Sequence, residues 1–343
     1  MQLKESFQFP YIKRFYFARF ISNFGNGMSP IALAFGILNL PDGDANMLGL
    51  VLGSTTVAML IMSPFGGVLA DKFGRVKAVA FADLVGSAGL FVQVAFFATG
   101  DVPLIVLLLV NINFGLMWGI FWPAMSGVLP ALVPDEHLQG TNSVNNFFSN
   151  GAIILGAAVG GIIVAGWGAT WALAIDAATF TIGGIVLLTF RHVSPASGKT
   201  ENTMIDDLIH GWKLFLSFRW IVIGVFGFSF IVLAWAAGEN ILGPLIALKE
   251  FNGAKSWSLV LTFEGIGLLI GSVIGLKIKL KYPLRFLLII SFSISLYMWS
   301  MAKPQSIWFI AFCALLWGIT LDLWITLWST AMAREVPREA LSR

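Results

Sequence analysis

GVLADKFGRVK, residues 67–77, is a charged segment between two long apolar stretches of the chain. It holds three basic residues, one acidic residue and two glycines, although only 11% of all residues are charged. Such a segment cannot lie in hydrocarbon, because each unpaired charge would lose its hydration there. The segment therefore marks a boundary between membrane and water, and its lysines and arginine predict that it faces the cytoplasm.

The composition of the 343-residue chain indicates an all-α polytopic membrane protein. Hydrophobic residues make up 57% and aromatic residues 14% of the chain. A soluble protein of this size would need far more charged residues to cover its surface. Apolar stretches of about 20 residues, the length that a helix needs to cross about 30 Å of hydrocarbon, recur throughout. We expect the lipid bilayer to surround most of the chain.

Several classes of function are disfavoured by the residues present. The net charge of +3 does not indicate nucleic-acid binding, because the basic residues lie in short loops between spans. Cys313 is the single cysteine, so an internal disulfide and a multi-cysteine metal site are excluded. The three histidines are not clustered with other ligands, and no nucleotide-binding glycine loop occurs. We therefore expect neither an enzyme nor a protein that needs a metal or a cofactor.

Ten membrane spans can be drawn along the chain. Their predicted bounds are 15–40, 48–70, 78–99, 103–129, 141–166, 169–190, 219–247, 257–279, 283–302 and 306–332. One connection is long and polar, and it divides the chain into three parts. These are an N-terminal six-helix bundle at 1–190, a cytoplasmic linker at 191–218 and a C-terminal bundle of four helices at 219–343.

The distribution of basic residues predicts the orientation. If the N-terminus is cytoplasmic, 17 of the 21 lysines and arginines lie on the inner side and Arg19 lies near the inner end of the first span. Only Lys249, Lys255 and Lys303 then lie outside. An error of one span would reverse the later loops and destroy this asymmetry. The chain is therefore predicted to cross the plasma (inner) membrane several times, with both termini in the cytoplasm.

The segment 67–77 resembles the loop between the second and third helices of the major facilitator superfamily, which reads G-x-L-A-D-[RK]-x-G-R. We interpret Gly67 as permitting close helix approach, Gly74 as permitting a tight turn, and Asp71 as a partner for neighbouring basic groups. The resemblance implies a loop that acts as a conformational switch, whereas the alternative is an ordinary positively charged boundary loop. The switch residues would be Gly67, Asp71, Lys72, Gly74 and Arg75.

A second resemblance lies in the fifth span. Exporters of this superfamily often carry G-P-x-x-G-G there, and this chain has Gly156, Gly160 and Gly161 with Ala157 in the place of the proline. Gly156 and Gly160 form a small-xxx-small face suited to tight helix packing, which also occurs without export function. The residues from 123 to 142 and from 175 to 180 resemble the drug-efflux branch that includes macrolide and enterobactin exporters.

The resemblance implies a major facilitator fold, normally of six plus six helices, so the second bundle of four helices is expected to be incomplete. It implies ion-coupled secondary export of a lipophilic or amphipathic small molecule by alternating access. Uptake of a nutrient or lipid remains an alternative, because the motif of the fifth span is altered. A non-transporting membrane remnant is another, because two helices are expected to be missing.

Acidic residues within predicted spans are candidates for binding a proton or another cation, because a charge in hydrocarbon usually faces a cavity or a partner. We select Asp322, Glu264 and Asp176 as coupling candidates. Asp83 lies close to the inner boundary, where it can reach the lipid headgroups or Arg19. Glu239 lies near the outer end of the seventh span, where a solvated position is as plausible as a functional one.

Polar and aromatic residues in the spans are candidates for lining a substrate cavity. Ser22, Asn26 and Ser29 lie at i, i+4 and i+7 on one face of the first span, with Asn23 beside them. The fourth span lacks the arginine that many proton-coupled antiporters of this superfamily carry, and its polar residues are Asn111 and Asn113. Hydrogen bonding between helices is the alternative role for such residues. Trp118 lies deep enough to stack on a ligand, although packing is its simpler role.

Overall fold

The computed structural model describes four stretches of the chain, residues 7–194, 212–213, 215–275 and 283–335. Within these stretches the backbone forms helices and turns, and no strand is present. The chain divides into two compact units, unit 1 at Met1–Lys199 and unit 2 at Thr200–Arg343. Most of the predicted linker at 191–218, and the basic residues predicted for the loop at 276–282, lie outside the described residues.

Unit 1 contains six long helices at the positions of the first six predicted spans. Their bounds are α1 Ile12–Leu38, α2 Ala45–Phe73, α3 Arg75–Thr99, α4 Leu104–Met125, α5 Asp135–Trp167 and α6 Ala169–Leu188. A 3₁₀ helix at Leu129–Ala131 lies between α4 and α5. The largest difference from the predicted bounds is the start of α5, which lies at Asp135 rather than at residue 141. Asp135 and Glu136 favour the first turn, where the helix dipole is positive.

Residues suited to helix ends determine where these helices stop and start. Asp44 caps α2 by accepting a hydrogen bond from the backbone N–H of Met47 at 2.7 Å. Gly74 alone separates α2 from α3, with a φ of 93° that residues with a side chain rarely adopt. Gly168 joins α5 to α6 with a φ of 90°. The tight turn predicted at Gly74 is therefore confirmed.

Glycines let α1 pack closely on α5 in the core of unit 1. A methyl group on Gly156 would overlap the backbone oxygen of Phe24, and one on Gly160 would lie only 2.9 Å from the Cα of Met28. On the opposite helix, Gly27 meets the backbone oxygen of Ile153 in the same way. The small-xxx-small face predicted from Gly156 and Gly160 is therefore a packing face between α5 and α1, and the third glycine of the motif, Gly161, is buried.

Unit 2 contains the four remaining predicted spans, two of which are interrupted. Its elements are α7 Arg219–Ala237, a π-helical turn Gly238–Leu242, α8 Gly243–Glu250, α9 Ala254–Gly275, α10 Pro283–Ile290, α11 Phe292–Ala302 and α12 Ile307–Glu335. The seventh span thus contains a π-helical turn that its sequence pattern does not indicate. The ninth span is interrupted at Ser291, whose hydroxyl donates a hydrogen bond to the backbone oxygen of Leu287 at 2.7 Å.

The second and fourth membrane spans of each unit pack closely through glycines. In unit 1, methyl groups on Gly66 of α2 and on Gly115 of α4 would each overlap a backbone oxygen of the opposite helix. In unit 2, Gly267 of α9 meets Leu315 of α12, and Gly318 of α12 meets the backbone of Glu264. Repeated packing of this kind is typical of transporter folds that are built from internal repeats.

The first helices of the two units, α1 and α7, differ in how much of their surface neighbouring helices cover. In unit 1, α5 and α6 cover α1, and most of its 27 residues are buried. In unit 2, the side chains of Ile223 and Phe230 on α7 are each 73% exposed. Beside them, α7, α10, α11 and α12 line an apolar groove of about 730 Å³, formed in part by Phe228 and Trp324. The described part of α7 therefore presents an apolar face.

Nine helical segments in the described residues are long and apolar enough to cross a membrane. They correspond to the second to tenth predicted spans, because α7, the π-helical turn and α8 form one segment and α10 with α11 forms another. The first predicted span is helical and long enough, but Arg19, Asn23 and Asn26 make α1 more polar than the others. The all-α membrane fold predicted from composition is confirmed.

The packing of α1 on α5 predicts opposite effects for two glycine-to-alanine changes on the same helix. Alanine favours a helix over glycine by about 1 kcal/mol, so Gly151→Ala, which has no heavy atom within 4 Å of the new methyl group, should not destabilise. Gly156→Ala should lower the thermal unfolding midpoint in detergent relative to Gly151→Ala, because relieving the overlap with Phe24 costs about 1–3 kcal/mol. Equal midpoints would contradict the close contact.

Candidate coupling and substrate sites

The charged segment 67–77 forms a short cap at one end of α2 and α3. Asp71 and Arg75 lie one helical turn apart across Gly74, and a carboxylate oxygen of Asp71 is 3.1 Å from a guanidinium nitrogen of Arg75. The Arg75 side chain also lies against Gly127, just after α4. The ammonium group of Lys72 is 5.5 Å from the ring centre of Phe73. The predicted pairing of Asp71 with a basic neighbour is therefore observed.

The close approach that the sequence assigned to Gly67 belongs instead to its neighbour. A methyl group on Gly66 would overlap the backbone oxygen of Gly119 on α4. At Gly67 the nearest atom would be the Cβ of Pro123, at an ordinary contact distance of 3.9 Å. Consecutive residues point about 100° apart on a helix, so only one of the two glycines can face α4. The assignment to Gly67 was wrong for this reason.

The polar stripe of α1 is largely buried within unit 1. Asn23 accepts hydrogen bonds from Arg19 at 3.2 Å and from Asn26 at 3.5 Å. Ser22 is fully buried, its hydroxyl has no hydrogen-bond partner in the described residues, and it lies against Gly183 of α6. Asn26 and Ser29 are half-buried, whereas Ser22 and Asn23 are buried. The stripe therefore packs mainly against neighbouring helices.

The polar residues of α4 make hydrogen bonds to neighbouring helices. The amide nitrogen of Asn111 donates to Gln93 of α3 at 3.4 Å, and its amide oxygen accepts from Thr55 of α2 at 3.4 Å. Asn113 donates to the backbone oxygen of Val85 on α3 at 3.2 Å. These bonds connect α4 to α2 and α3, which is the alternative role that the sequence left open for intramembrane polar residues.

Trp118 belongs to an aromatic row on α4. Its ring centre is 5.5 Å from that of Phe114 and 6.0 Å from that of Trp122. The side chain of Trp118 is half-buried, whereas that of Trp122 is 56% exposed. Trp118 therefore has both packing contacts and a free part of its surface.

Asp176 is the most deeply buried acid of unit 1. It is fully buried on α6, and neither of its carboxylate oxygens has a hydrogen-bond partner in the described residues. It faces Gly25 of α1, with the hydroxyl of Ser29 nearby. A buried carboxyl group without hydrogen bonds is costly in hydrocarbon, so its position calls for a functional explanation.

Asp83 and Arg19 are a buried pair of opposite charges in the same unit. Asp83 on α3 is almost fully buried, which rules out the lipid-headgroup position considered from the sequence, and it acts electrostatically on Arg19. The guanidinium carbon of Arg19 also lies 4.8 Å from the ring centre of Phe121. Arg19 therefore offsets the charge of Asp83, whereas Asp176 has no comparable basic partner.

Glu264 of unit 2 is paired with a second acid. Glu264 on α9 and Glu239 on the π-helical turn are both buried, and their carboxyl groups are close enough to interact directly. The indole nitrogen of Trp235 donates a hydrogen bond to Glu239 at 2.8 Å. The hydroxyl of Tyr297 on α11 lies beside both acids. The solvated position considered for Glu239 is therefore wrong, because its side chain is buried within unit 2.

Asp322 connects α12 to α9. One carboxylate oxygen accepts a hydrogen bond from the hydroxyl of Ser272 at 2.8 Å, and the other is buried without a partner in the described part of the chain. The backbone beside it approaches Gly271 of α9. The three coupling candidates thus lie at three separate places, one in unit 1 and two in unit 2.

The pairings within these clusters escaped the sequence analysis. Trp235 and Glu239 are four residues apart, a spacing that places two side chains on one helix face, and this was the available signal. Nothing in the sequence pairs Tyr297 with Glu264, because the two lie on different helices. No group of three or more histidine, cysteine, aspartate or glutamate side chains suited to a metal ion occurs in the described residues.

Solved structures share the fold of this chain. A crystal structure of a mutant of the nucleoside transporter NupG superimposes with a TM-score of 0.78 at 15% identity, over 96% of this chain and 85% of that one. A bacterial homologue of the iron transporter ferroportin in an inward-facing state gives a TM-score of 0.70 at 15% identity, over 95% and 84% of the two chains. At such identities the similarity establishes the fold alone.

Sequence relatives are bacterial transporters. The uncharacterized MFS-type transporter YfiS of Bacillus subtilis is 25% identical over 70% of this chain and 57% of its own length. Macrolide efflux protein A of Enterococcus faecalis is 25% identical over 86% and 94%. The enterobactin exporter EntS of Citrobacter koseri is 24% identical over 77% and 62%. The chain thus spans only about half to two thirds of the length of several relatives, including YfiS and EntS.

A family comparison agrees with the motif at 67–77 and with the resemblance to macrolide and enterobactin exporters. The model of the Major Facilitator Superfamily matches residues 15–343, which include every described helix except the first residues of α1. The relatives are transporters rather than enzymes, as the sequence predicted. The chain therefore belongs to the Major Facilitator Superfamily.

Proposed function

We propose that this protein is a secondary active exporter of a lipophilic or amphipathic small molecule. Among its relatives, one is named for macrolide efflux and another for enterobactin export. The family fold supports alternating access between two helix bundles, in which the substrate site opens to each side of the membrane in turn. The similarity to exporters over most of the chain is the reason to prefer export over uptake.

Coupling to an ion is the second part of the proposal, and it rests on three acids in membrane helices, of which two are buried and Asp322 is half-buried. Asp176, Asp322 and Glu264 lie within segments long enough to span the bilayer, and none makes an ion pair with a basic side chain in the described residues. An uncompensated acid in hydrocarbon is best explained by binding a proton or another cation during function. One proton moving inward gains about 2.3 kcal/mol per 100 mV, which can drive uphill export.

We infer that Asn26 and Trp118 are the strongest of the predicted substrate contacts. Both are half-buried, so part of each side chain is accessible, whereas Ser22, Asn23 and Asn111 are buried. The row of rings around Trp118 provides an apolar and aromatic surface for an amphipathic ligand. Asn113 is also half-buried, but its amide is engaged with Val85.

The same proposal places unit 1 in the plasma membrane with its N-terminal end inside. Lys13, Lys72 and Lys77 lie at the start of α1 and around the α2–α3 turn, whereas Asp44 and Asp101 lie at the connections after α1 and α3. Successive spanning helices run in opposite directions, so the basic and the acidic groups lie at opposite ends of the unit. This distribution supports a cytoplasmic N-terminus.

Export should depend on these acids within the membrane helices. In an efflux-deficient bacterium, the chain should reduce the accumulation of a lipophilic fluorescent dye, and a protonophore should restore it. Asp322→Asn and Asp176→Asn should each reduce this protonophore-sensitive export by at least tenfold, because the amide cannot exchange a proton. Asp101→Asn, at the exposed connection after α3, is the matched control and should export as the wild type does.

Each other result of that experiment has a definite meaning. If cells that express the wild type accumulate more dye, the protein takes the dye up rather than exporting it. Unchanged accumulation across a panel of dyes and macrolides would favour a non-transporting protein. Full export by both aspartate variants would show that neither acid couples transport.

The Asp71–Arg75 pair should affect the transport rate more than stability. Both side chains are partly exposed, so an i, i+4 pair of this kind stabilises by only about 0.3–0.5 kcal/mol. If the loop is a conformational switch, Asp71→Asn should slow dye export several-fold while the unfolding midpoint changes little. Asp135→Asn, an exposed acid in the first turn of α5, serves as control. An unchanged rate in Asp71→Asn would identify the segment as an ordinary boundary loop.

A further inference from the structure

A π-helical turn of unit 2 carries one of its buried acids, Glu239. Residues Gly238–Leu242 form this turn, and the backbone N–H of Gly243 donates to the oxygen of Gly238, five residues earlier. The glycines at both ends of the turn are covered, with Gly238 against Met298 of α11 and Gly243 against the ring of Trp257 on α9. π-helical turns inside α-helices are frequent at functional sites. Here the turn carries Glu239 into the interior.

Two carboxyl groups meet at this position. Glu239 and Glu264 are 7% and 6% exposed, respectively, and their side chains interact directly. Two carboxylates that touch in a low-dielectric site cannot both be charged without strong repulsion, so such a pair shares a proton. The hydrogen bond from Trp235 to Glu239, at 2.8 Å, stabilises the negative charge that remains on the pair.

A third polar group faces the pair. Tyr297 is fully buried on α11, and its hydroxyl lies beside both acids. No acceptor or donor in the described residues lies within 3.5 Å of this hydroxyl in hydrogen-bonding geometry. Cys313 of α12 interacts with this hydroxyl rather than with the acids, and Ser300 of α11 lies beside Cys313. The groups that face the pair from the packed helices are thus Trp235 and Tyr297. Among the described residues, no lysine, arginine or histidine contributes a positive charge here.

We propose that Glu239 and Glu264 hold one exchangeable proton between them, and that binding and release of this proton are coupled to transport. Binding forms an O–H bond on one carboxyl group and leaves the pair with a single negative charge. Release to water breaks that bond and leaves two adjacent negative charges. Because this doubly charged state is unfavourable in a dry interior, release requires water to reach the pair, which links the proton to an open state of the site.

Tyr297 has a positioning role in this scheme. Its hydroxyl can donate to whichever carboxylate becomes charged, and it can do so without giving up an existing hydrogen bond. The coupling part of the proposal rests on the ion-coupled export proposed above. The shared proton rests only on the buried pair itself, so the two parts can be tested separately.

The shared proton can be detected without any transport assay. The infrared spectrum of the purified full chain in lipid nanodiscs should contain a C=O stretching band of a protonated carboxyl group in neutral buffer. Difference spectra between the wild type and Glu239→Gln or Glu264→Gln should show the loss of one such band in each case. The glutamine amide can donate to the remaining carboxylate, so no proton is needed there. Glu250→Gln, at the exposed end of α8, should leave the band unchanged.

The same variants test coupling. Dye export driven by a proton gradient in proteoliposomes should fall at least tenfold in Glu239→Gln and in Glu264→Gln. It should be unchanged in Glu250→Gln. Tyr297→Phe should keep the carboxyl band and slow export several-fold. If a glutamine variant is not monodisperse, Glu264→Asp takes its place, and this variant should keep a band because it keeps the carboxyl group.

Different failures have different meanings. If no band is lost in either glutamine variant, the pair does not share a proton and the proposal is overturned. If the band is lost but gradient-driven export is unchanged, the proton is structural and the coupling role is overturned. If sodium chloride in place of choline chloride removes the band at constant pH, sodium competes for the site and the assignment to a proton alone is wrong. If the wild type shows a band but no gradient-driven export, the proposed function fails while the shared proton stands.

Discussion

The cost of placing a charge in hydrocarbon is the constraint on which the rest of this structure depends. It confines most basic and acidic residues to the helix ends, where Lys72 and Arg75 flank the α2–α3 turn and Asp44 caps α2. It also makes the few ionisable groups that remain inside informative, because each must be offset by a neighbour or must change its protonation. In unit 1, Arg19 offsets Asp83 in this way, whereas Asp176 has no such neighbour.

Close backbone contact is the second requirement, and both units meet it with glycine. Lipid tails are as apolar as leucine, so helices in a bilayer gain from tight packing rather than from leaving water. In unit 1, the contact of Gly66 with Gly119 joins α2 to α4. In unit 2, the contact of Gly318 with Glu264 joins α12 to α9. In unit 2 the contact lies at Glu264 itself. The backbone of that acid is therefore held against α12 while its side chain faces the π-helical turn.

The sequence predicted what depends on length, charge and single-residue conformation. The span positions follow from apolar length, and the turn at Gly74 follows from the φ that glycine allows. Features that depend on the rotation of one helix against another could not be predicted. Gly66 and Gly67 are chemically identical, and only the rotation of α2 decides which faces α4. Glu239 was misplaced because α9 and α11 cover the turn that carries it, and the sequence does not show how those helices pack.

The position of the Glu239–Glu264 pair suggests how one proton can affect a whole helix. Glu264 belongs to α9, which is fixed to α12 through Gly267 and Gly318. Glu239 belongs to a turn that interrupts its helix and whose hydrogen bonds differ from those of a regular helix. A change of charge on the pair therefore acts between two unlike partners. Glu264 lies on a helix that is packed tightly against α12, whereas Glu239 lies on a turn whose backbone hydrogen bonds are not those of a regular helix. Repulsion in the deprotonated state would move the turn rather than α9, and α7 is continuous with that turn.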